Sequence, residues 1–233
     1  MLRNPDDVLA GVARTRERIA EAAARAGRSA AEVELVAAVK YLEAEDLPLL
    51  HAAGITRVGE NRTDQLVAKQ AAYGDLFTWD FIGHLQSRKV KEIAGHVSLI
   101  HSLFTESTAA QLERRSPAPQ DVLIEVNVAG DPDKDGVAPA ELDALLERLA
   151  PLTNIRVRGL MTMPAFAARP EASRAAFAAL RELAEQAAER WAGVHTFGDL
   201  SMGTSQDFEV AVEEGATLVR AGSVLLVPDD ASR

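Results

Sequence analysis

The amino-acid sequence predicts an α/β protein, a single (β/α)8 TIM barrel over residues 1–233 with an extra N-terminal helix. Eight short apolar, strand-like runs alternate with helix-like stretches, a pattern typical of right-handed βαβ units and a parallel sheet. Eight such units in a chain of 233 residues fit a closed barrel better than an open sheet. Because no linker-like stretch interrupts the alternation, we expect one domain.

The elements follow one another in a regular order. Residues 6–26 carry Val8, Val12 and Ile19 at helical spacing and stop at Gly27, which predicts a leading amphipathic helix with a glycine after its end. The strand-like runs lie at 33–39, 55–59, 79–83, 98–102, 121–128, 155–161, 196–202 and 216–222. The helix-like stretches between them lie at 44–53, 61–72, 85–94, 106–115, 138–150, 171–191 and 206–214.

An open, doubly wound sheet is the alternative architecture. Such a sheet usually carries a glycine-rich dinucleotide-binding turn after its first strand. Neither G-x-G-x-x-G nor a Walker motif occurs in this sequence. The barrel therefore remains the predicted fold.

Composition excludes several classes of function. The net charge is −10 and no long basic run occurs, so we expect no binding to nucleic acid or to an anionic membrane. The absence of cysteine removes disulfides, thiolate catalysis and cysteine-based metal sites. We find no signal peptide and no apolar stretch long enough to span a bilayer, and we expect a cytoplasmic protein.

Lys40 directly follows the first apolar run, which would place an amine at the end of a buried strand. Partial desolvation there disfavours the ammonium form and raises the fraction of neutral, nucleophilic amine. Lys40 is therefore a candidate for a Schiff base. The alternative is an exposed strand end or an ion-pair partner, which is the commoner fate of a lone lysine.

The segments after strands 7 and 8 resemble a phosphate site. They read Leu-Ser-Met-Gly-Thr-Ser at 200–205 and Arg-Ala-Gly-Ser at 220–223, and barrel phosphate sites are frequently built from these two loops. A short helix beginning at Gly222 or Ser223 would direct its N–H groups at the anion. With a lysine on strand 1, this pattern indicates a phosphorylated aldehyde, for which pyridoxal 5′-phosphate is the candidate. The alternative is a turn leading to a helix capped by Ser205.

Two further polar residues, Asn61 and His84, follow strands 2 and 3 and point to the same end of the barrel. Each has an equally plain interpretation as a helix cap. The five histidines show no metal-ligand spacing, so we predict no metal site. No G-x-S-x-G elbow occurs, which gives serine hydrolase chemistry no support.

Six motifs between about residues 33 and 223 resemble those of the pyridoxal-phosphate homeostasis proteins, relatives of the alanine racemase N-terminal barrel. They are Gly-Glu-Asn at 59–61, Phe-Ile-Gly-His-Leu-Gln-Ser at 81–87, Val-Asn-Val at 126–128, Gly-Leu-Met-Thr-Met at 159–163, Leu-Ser-Met-Gly at 200–203 and Val-Arg-x-Gly at 219–222. The resemblance implies a fold-type III barrel that binds pyridoxal 5′-phosphate (PLP).

The resemblance also implies roles for individual residues. Lys40 would carry the Schiff base and Arg220 would face the pyridine nitrogen. The other implied cofactor contacts are Asn61 and His84 on the ring side and Ser201, Gly222 and Ser223 around the phosphate. Lys134 matches a loop lysine that the family also carries. Two departures are visible: Val39 precedes Lys40 where the family usually has serine, and the tail at 224–228 lacks the usual glycine.

The function implied is to hold PLP as a reversible Schiff base on Lys40 and to take part in vitamin B6 homeostasis, without a dedicated catalytic reaction. PLP-dependent apo-enzymes are the expected recipients, and we expect a monomer. An arginine at the pyridine nitrogen disfavours ring protonation and weakens the ring as an electron sink. A racemase would also need a second base. Tyr41 is a poor candidate, because extended geometry would turn it away from Lys40.

Two other functions stay open on the sequence. The chain could be a PLP-dependent enzyme with weak amino-acid racemase or lyase activity that uses Lys40. It could also be an interaction module that works through its acidic surface.

Overall fold

Eight parallel strands form a closed barrel in the computed structural model, which describes residues 4–165 and 169–226. Each strand pairs with the next in sequence, and the last pairs with the first. The strands are β1 (Glu34–Ala38), β2 (Arg57–Glu60), β3 (Thr78–Phe81), β4 (Leu99–Leu103), β5 (Gln120–Glu125), β6 (Ile155–Met161), β7 (Asp199–Thr204) and β8 (Leu218–Ala221). The predicted (β/α)8 barrel is confirmed.

Helices surround the strands and alternate with them along the chain. They are α1 (Pro5–Arg25), α2 (Leu47–Ala52), α3 (Thr63–Tyr73), α4 (Val90–Ile93), α5 (Glu106–Arg115), α6 (Leu142–Leu149), α7 (Arg174–Arg190) and α8 (Phe208–Glu213). The predicted helices at 44–53, 85–94 and 138–150 each begin as a short 3-10 turn before the α-helix. No helix within 4–165 or 169–226 is long and apolar enough to cross a membrane.

The extra helix α1 precedes the first strand, as expected. The side chain of Asn4 accepts a hydrogen bond from the backbone N–H of Asp6 and caps its start. Gly27 follows its end with φ of 69°, a left-handed conformation that glycine adopts without strain. Helix α1 packs against α2 and α8, and Gly11 lies so close to Leu225 that a Cβ would meet its carbonyl oxygen at 2.5 Å. Of the unusual tail at 224–228, residues 227 and 228 lie outside the described residues.

The barrel interior contains polar as well as apolar side chains. A small apolar cluster of Val36, Leu99, Leu123, Met161 and Leu218 is separate from the main core between strands and helices. In the strand register, Asp80 lies beside Leu99 and Ser201 beside Leu218, and residues aligned in register share one side of a sheet. Buried polar side chains inside a barrel need hydrogen-bond partners. The partners of Ser201 include Arg220, which lines the cavity described below.

Candidate functional site

A cavity of about 470 Å³ opens at the carboxyl ends of the strands, the end at which barrel proteins carry their active sites. Six of the seven residues implied as cofactor contacts line it; Ser201 is the exception. The lining residues are Ala38, Lys40, Tyr41, Asn61, Ile82, Gly83, His84, Ser102, Glu125, Asp135, Met161, Met163, Thr204, Ser205, Gln206, Arg220, Gly222 and Ser223. The strand-end residues therefore meet in one place, as the barrel topology requires.

A second cavity of about 440 Å³ lies at the opposite end of the barrel. Its wall contains arginines already paired with carboxylates, including Arg57 with Glu34 and Arg158 with Asp121. Its lining has four carboxylates and only these two arginines, both already paired, so it has no cation to spare for a phosphate. The cavity at the carboxyl ends is the candidate site.

Lys40 lies in a turn two residues beyond the end of β1, and its side chain is exposed. The prediction that it sits desolvated at the end of a buried strand is wrong, because β1 ends at Ala38 and the chain then turns, with the N–H of Leu42 donating to the carbonyl of Val39 at 3.0 Å. The Lys40 ammonium lies 4.7 Å from the centre of the Tyr41 ring, a cation–π contact.

Tyr41 lies on the same side as Lys40 and lines the cavity, with 64% of its surface exposed. The prediction that it faces the other way is therefore also wrong. That prediction assumed the strand alternation of side chains, which no longer applies once the strand has ended.

Arg220, on β8, provides a buried positive charge at the floor of the cavity. It donates through Nη1 to the hydroxyl of Ser201 and through Nη2 to the carbonyl of Thr162 at 3.0 Å. Burial lowers the pKa of Arg220 to about 10, while the Glu125 carboxylate opposes that shift. The guanidinium therefore remains charged at neutral pH.

Ser201 lies inside the barrel, below Arg220, and does not line the cavity. Its hydroxyl is fully buried and 2.8 Å from Nδ1 of His101, in addition to its contact with Arg220. The hydroxyl is thus occupied by two protein partners. The structure corrects the expectation that this side chain faces a bound phosphate.

His101 continues this contact into a buried chain of hydrogen bonds. Its Nε2 lies 3.1 Å from Oδ2 of Asp80, which also accepts from Nε of Arg57 at 2.8 Å. Burial lowers the pKa of His101, so the ring is neutral. Since the carboxylate only accepts, Nε2 carries the proton and Ser201 donates to Nδ1. The chain therefore has one direction, with Ser201 accepting from Arg220, and it fixes the guanidinium.

Ser205, and not Ser201, brings a hydroxyl to the end of β8. Its Oγ accepts from the N–H of Gly222 at 3.0 Å, and the N–H of Val224 lies 3.5 Å away. A Cβ on Gly222 would meet the carbonyl oxygen of Ala38 at 3.2 Å, so glycine permits this close approach. Helix α8 begins at Phe208 and its cap position is Asp207. The alternative interpretation of Ser205 as the cap residue is therefore wrong.

The side chain of Asn61 presents an unpaired oxygen at the cavity wall. Its Oδ1 is buried and has no hydrogen-bond partner within the described ranges. The residue at the cap position of α3 is Arg62, so Asn61 does not cap that helix. Gly83 packs against it closely, since a Cβ there would meet the carbonyl oxygen of Asn61 at 2.2 Å. An unsatisfied buried acceptor is unfavourable, which marks this position as one where a ligand donor would be accommodated.

His84 joins two loops at the mouth of the cavity. Its Nδ1 lies 2.7 Å from Oδ2 of Asp135, which follows β5. The His84 ring also meets Phe104 edge-on, with ring centres 5.3 Å apart. Lys134, the neighbour of Asp135, lines a small adjoining pocket and not the main cavity.

Glu125 is a site residue that the sequence analysis missed. It ends β5, is 7% exposed and lines the cavity. Burial, reinforced by the nearby Asp135 carboxylate, raises the pKa of Glu125 to about 7, against the opposing charge of Arg220. A carboxyl group after the apolar run 122–124 was the available signal. Its side chain therefore exchanges a proton near neutral pH.

Comparisons with known proteins agree on one family. The sequence profile of the alanine racemase N-terminal domain matches residues 12–229. The chain is 42% identical to a pyridoxal phosphate homeostasis protein of Aquifex aeolicus, covering 92% of this chain and 95% of that protein. It is 43% identical to the Pseudomonas aeruginosa protein of that name, covering 92% of both. The structure of PipY from Synechococcus elongatus with PLP bound superposes with a TM-score of 0.78 at 32% identity, covering 90% of this chain and all of PipY.

Proposed function

Because this chain belongs to the pyridoxal phosphate homeostasis protein family, we propose that it binds PLP reversibly and takes part in vitamin B6 homeostasis. The cofactor would be held covalently on Lys40, in the cavity at the carboxyl ends of the strands. In this proposal the protein holds and releases PLP and has no dedicated reaction of its own.

The observation that carries the proposal is the meeting of three chemical groups around one cavity. A primary amine, a buried guanidinium and a serine hydroxyl beside a close-packed glycine come from Lys40, Arg220 and Ser223. These groups suit an aldehyde, a ring nitrogen and a phosphate, which are the three recognition features of PLP. The hydroxyl of Ser205 holds the Gly222 N–H on the same side of the cavity, and the unpaired oxygen of Asn61 adds an acceptor.

When bound, PLP supplies an aldehyde that reacts reversibly with primary amines and an electron-withdrawing aromatic ring. The Lys40 nitrogen would bond to the aldehyde carbon, and the aldehyde oxygen would leave as water. Because Lys40 is exposed at the cavity mouth, water and competing amines can reach this bond. That accessibility supports release of PLP, for which PLP-dependent apo-enzymes are the proposed recipients.

The floor of the cavity supports holding PLP over transforming a substrate. Arg220 is fixed by Ser201 and Thr162 and remains charged. A cation at the ring nitrogen disfavours its protonation, which weakens the ring as an electron sink for carbanion chemistry. Tyr41 lies beside Lys40, so it does not provide a base on an opposite face.

A weak racemase or lyase activity is the second candidate, and Glu125 is the observation that favours it. Its carboxyl group lines the cavity and titrates near pH 7, so it could move a proton. Turnover of an amino acid by the PLP-loaded protein, lost in Glu125→Gln and Lys40→Ala, would favour this second function.

Titration with PLP tests the main proposal. The unmodified protein is expected to develop a visible absorbance band and to bind stoichiometrically, while Lys40→Ala loses the band and binds more weakly. Lys89→Ala is the matched control, because Lys89 pairs with Glu92 at the surface and does not line the cavity. Equal bands in Lys40→Ala and Lys89→Ala would refute attachment at Lys40.

A further inference from the structure

A buried ion pair contacts the backbone of Val39, the residue that precedes Lys40. Nζ of Lys69, on α3, lies 2.6 Å from Oε2 of Glu60 at the end of β2. Their side chains are 2% and 0% exposed. Neither residue lines the cavity, so the pair has no part in the proposed PLP contacts.

The pair connects the backbone of two strand ends. Nζ of Lys69 also donates to the carbonyl oxygen of Val39 at 2.8 Å. The other carboxylate oxygen of Glu60 accepts from the N–H groups of Asn61 at 2.7 Å and Arg62 at 3.1 Å. One buried ion pair therefore holds the residue before Lys40 and the backbone of Asn61.

Stability alone is a weak explanation for such a pair. Removing two charges from water is unfavourable, and well-packed apolar residues of similar volume often serve a fold equally well. The distinctive property of this pair is its second contact. The Lys69 ammonium donates to the backbone carbonyl of Val39, the first residue after the end of β1. The other backbone ties at Val39 run to Gly59 and Leu42, and neither is charge-assisted.

We propose that Lys69 and Glu60 are positioning residues for Lys40: their ion pair fixes the Val39 carbonyl and so directs the Lys40 amine into the cavity. This inference rests on the proposed function. Lys69 is not itself the attachment amine, because its ammonium is buried and bonded to two acceptors.

The test is a double variant that removes both charges together, Lys69→Met with Glu60→Gln. The glutamine oxygen can still accept from Asn61 and Arg62, while the methionine cannot donate to Val39. We expect PLP affinity to fall at least about tenfold, because misplacing a reacting group by an ångström can lower its effectiveness by ~100-fold. Affinity for pyridoxine 5′-phosphate, which has an alcohol in place of the aldehyde, should stay unchanged.

The matched control is Lys89→Met with Glu92→Gln, which removes a partly exposed lysine–glutamate pair away from the cavity. It should bind both ligands like the unmodified protein. If the first double variant does not fold, Lys69→Gln with Glu60→Gln replaces it. Its amides can bond to each other, but the shorter side chain at position 69 does not reach Val39, so the same selective loss is expected.

Two results would overturn the inference. Unchanged PLP affinity would show that the pair does not position Lys40, and an equal loss for both ligands would show a merely structural role. If the unmodified protein does not bind PLP, the proposed function itself fails, which separates that outcome from the other two.

Discussion

Arg220 is held by a chain of side chains that crosses the barrel interior. From Arg220 the chain passes through Ser201 and His101 to Asp80, and Arg57 closes it at the far end. Ser201 and His101 each bond to a neighbour on both sides, so changing Ser201 removes one partner from Arg220 and one from His101. Such buried networks are strongly stabilising when complete and unfavourable when broken.

Ser201→Ala tests this chain. The change removes the acceptor for Arg220 and the donor to His101, and we expect the free energy of unfolding to fall by about 1–3 kcal/mol. Urea denaturation measures this loss, and the absorbance maximum of bound PLP should also shift. Ser116→Ala is the control, because Ser116 is buried but its hydroxyl has no partner in the described chain. Equal stability in the two variants would show that the Ser201 hydroxyl does not stabilise the fold through its bonds to Arg220 and His101.

Glu125 predicts a dependence of stability on pH. Its pKa rises from 4.5 to about 7 on folding, so the folded protein keeps a proton that the unfolded chain releases. The contribution of Glu125 to the free energy of unfolding is fully present below about pH 4.5, declines as the pH rises and is lost above about pH 7. The shift corresponds to about 3 kcal/mol at most.

Glu125→Gln should remove this decline while keeping the shape of the side chain. Urea denaturation at pH 5 and pH 8 would measure it: the unmodified protein loses more stability than the variant between the two values. The same loss in both proteins would show that Glu125 does not titrate in this range.

The loops that follow β3 and β5 are joined by a side-chain contact at the cavity. His84 from one loop contacts Asp135 from the other, and Asn127 shapes the second loop by donating to the carbonyl of Asp131 at 2.7 Å. Both His84 and Asp135 line the cavity. The contact therefore links two loops that both line the cavity, and we expect it to slow the release of PLP.

His84→Ala is expected to speed the release of PLP by about two- to tenfold, since a typical side-chain hydrogen bond contributes ~0.5–1.5 kcal/mol. Stopped-flow measurement of release to an excess of a PLP-requiring apo-enzyme would give the rate. Asp135→Asn should have a similar effect, and the double variant should be no faster than either single variant. Additive effects would show that the two residues act independently.

Element boundaries explain what the sequence could and could not predict. The alternation of apolar runs located all eight strands, and 155–161 and 106–115 match β6 and α5 to the residue. The end of β1 was placed one residue late, at 39 instead of Ala38. For Lys40 and Tyr41 that difference decides exposure and direction, because strand alternation stops where the strand stops.

At the scale of the whole molecule, the barrel brings distant residues together in ways that a single sequence does not show. Lys40, Asn61, His84, Arg220 and Gly222 could be predicted to meet, since every strand end reaches the same face. How deep in the barrel each side chain lies along its strand could not be predicted from the sequence. Ser201 lies within β7 and Ser205 beyond it, so only the second reaches Gly222. The buried series of hydrogen bonds from Arg220 to Arg57 joins five different strands and leaves no local sequence signal.

Reduction of the PLP-loaded protein with borohydride, followed by mass spectrometry of its peptides, tests whether PLP is attached at Lys40. Borohydride makes the bond between the cofactor and its lysine permanent, so the modified residue can be identified. We expect label on Lys40, with Lys69 and Lys134 unlabelled. A protein that takes up no PLP, or label on a different lysine, would contradict this expectation.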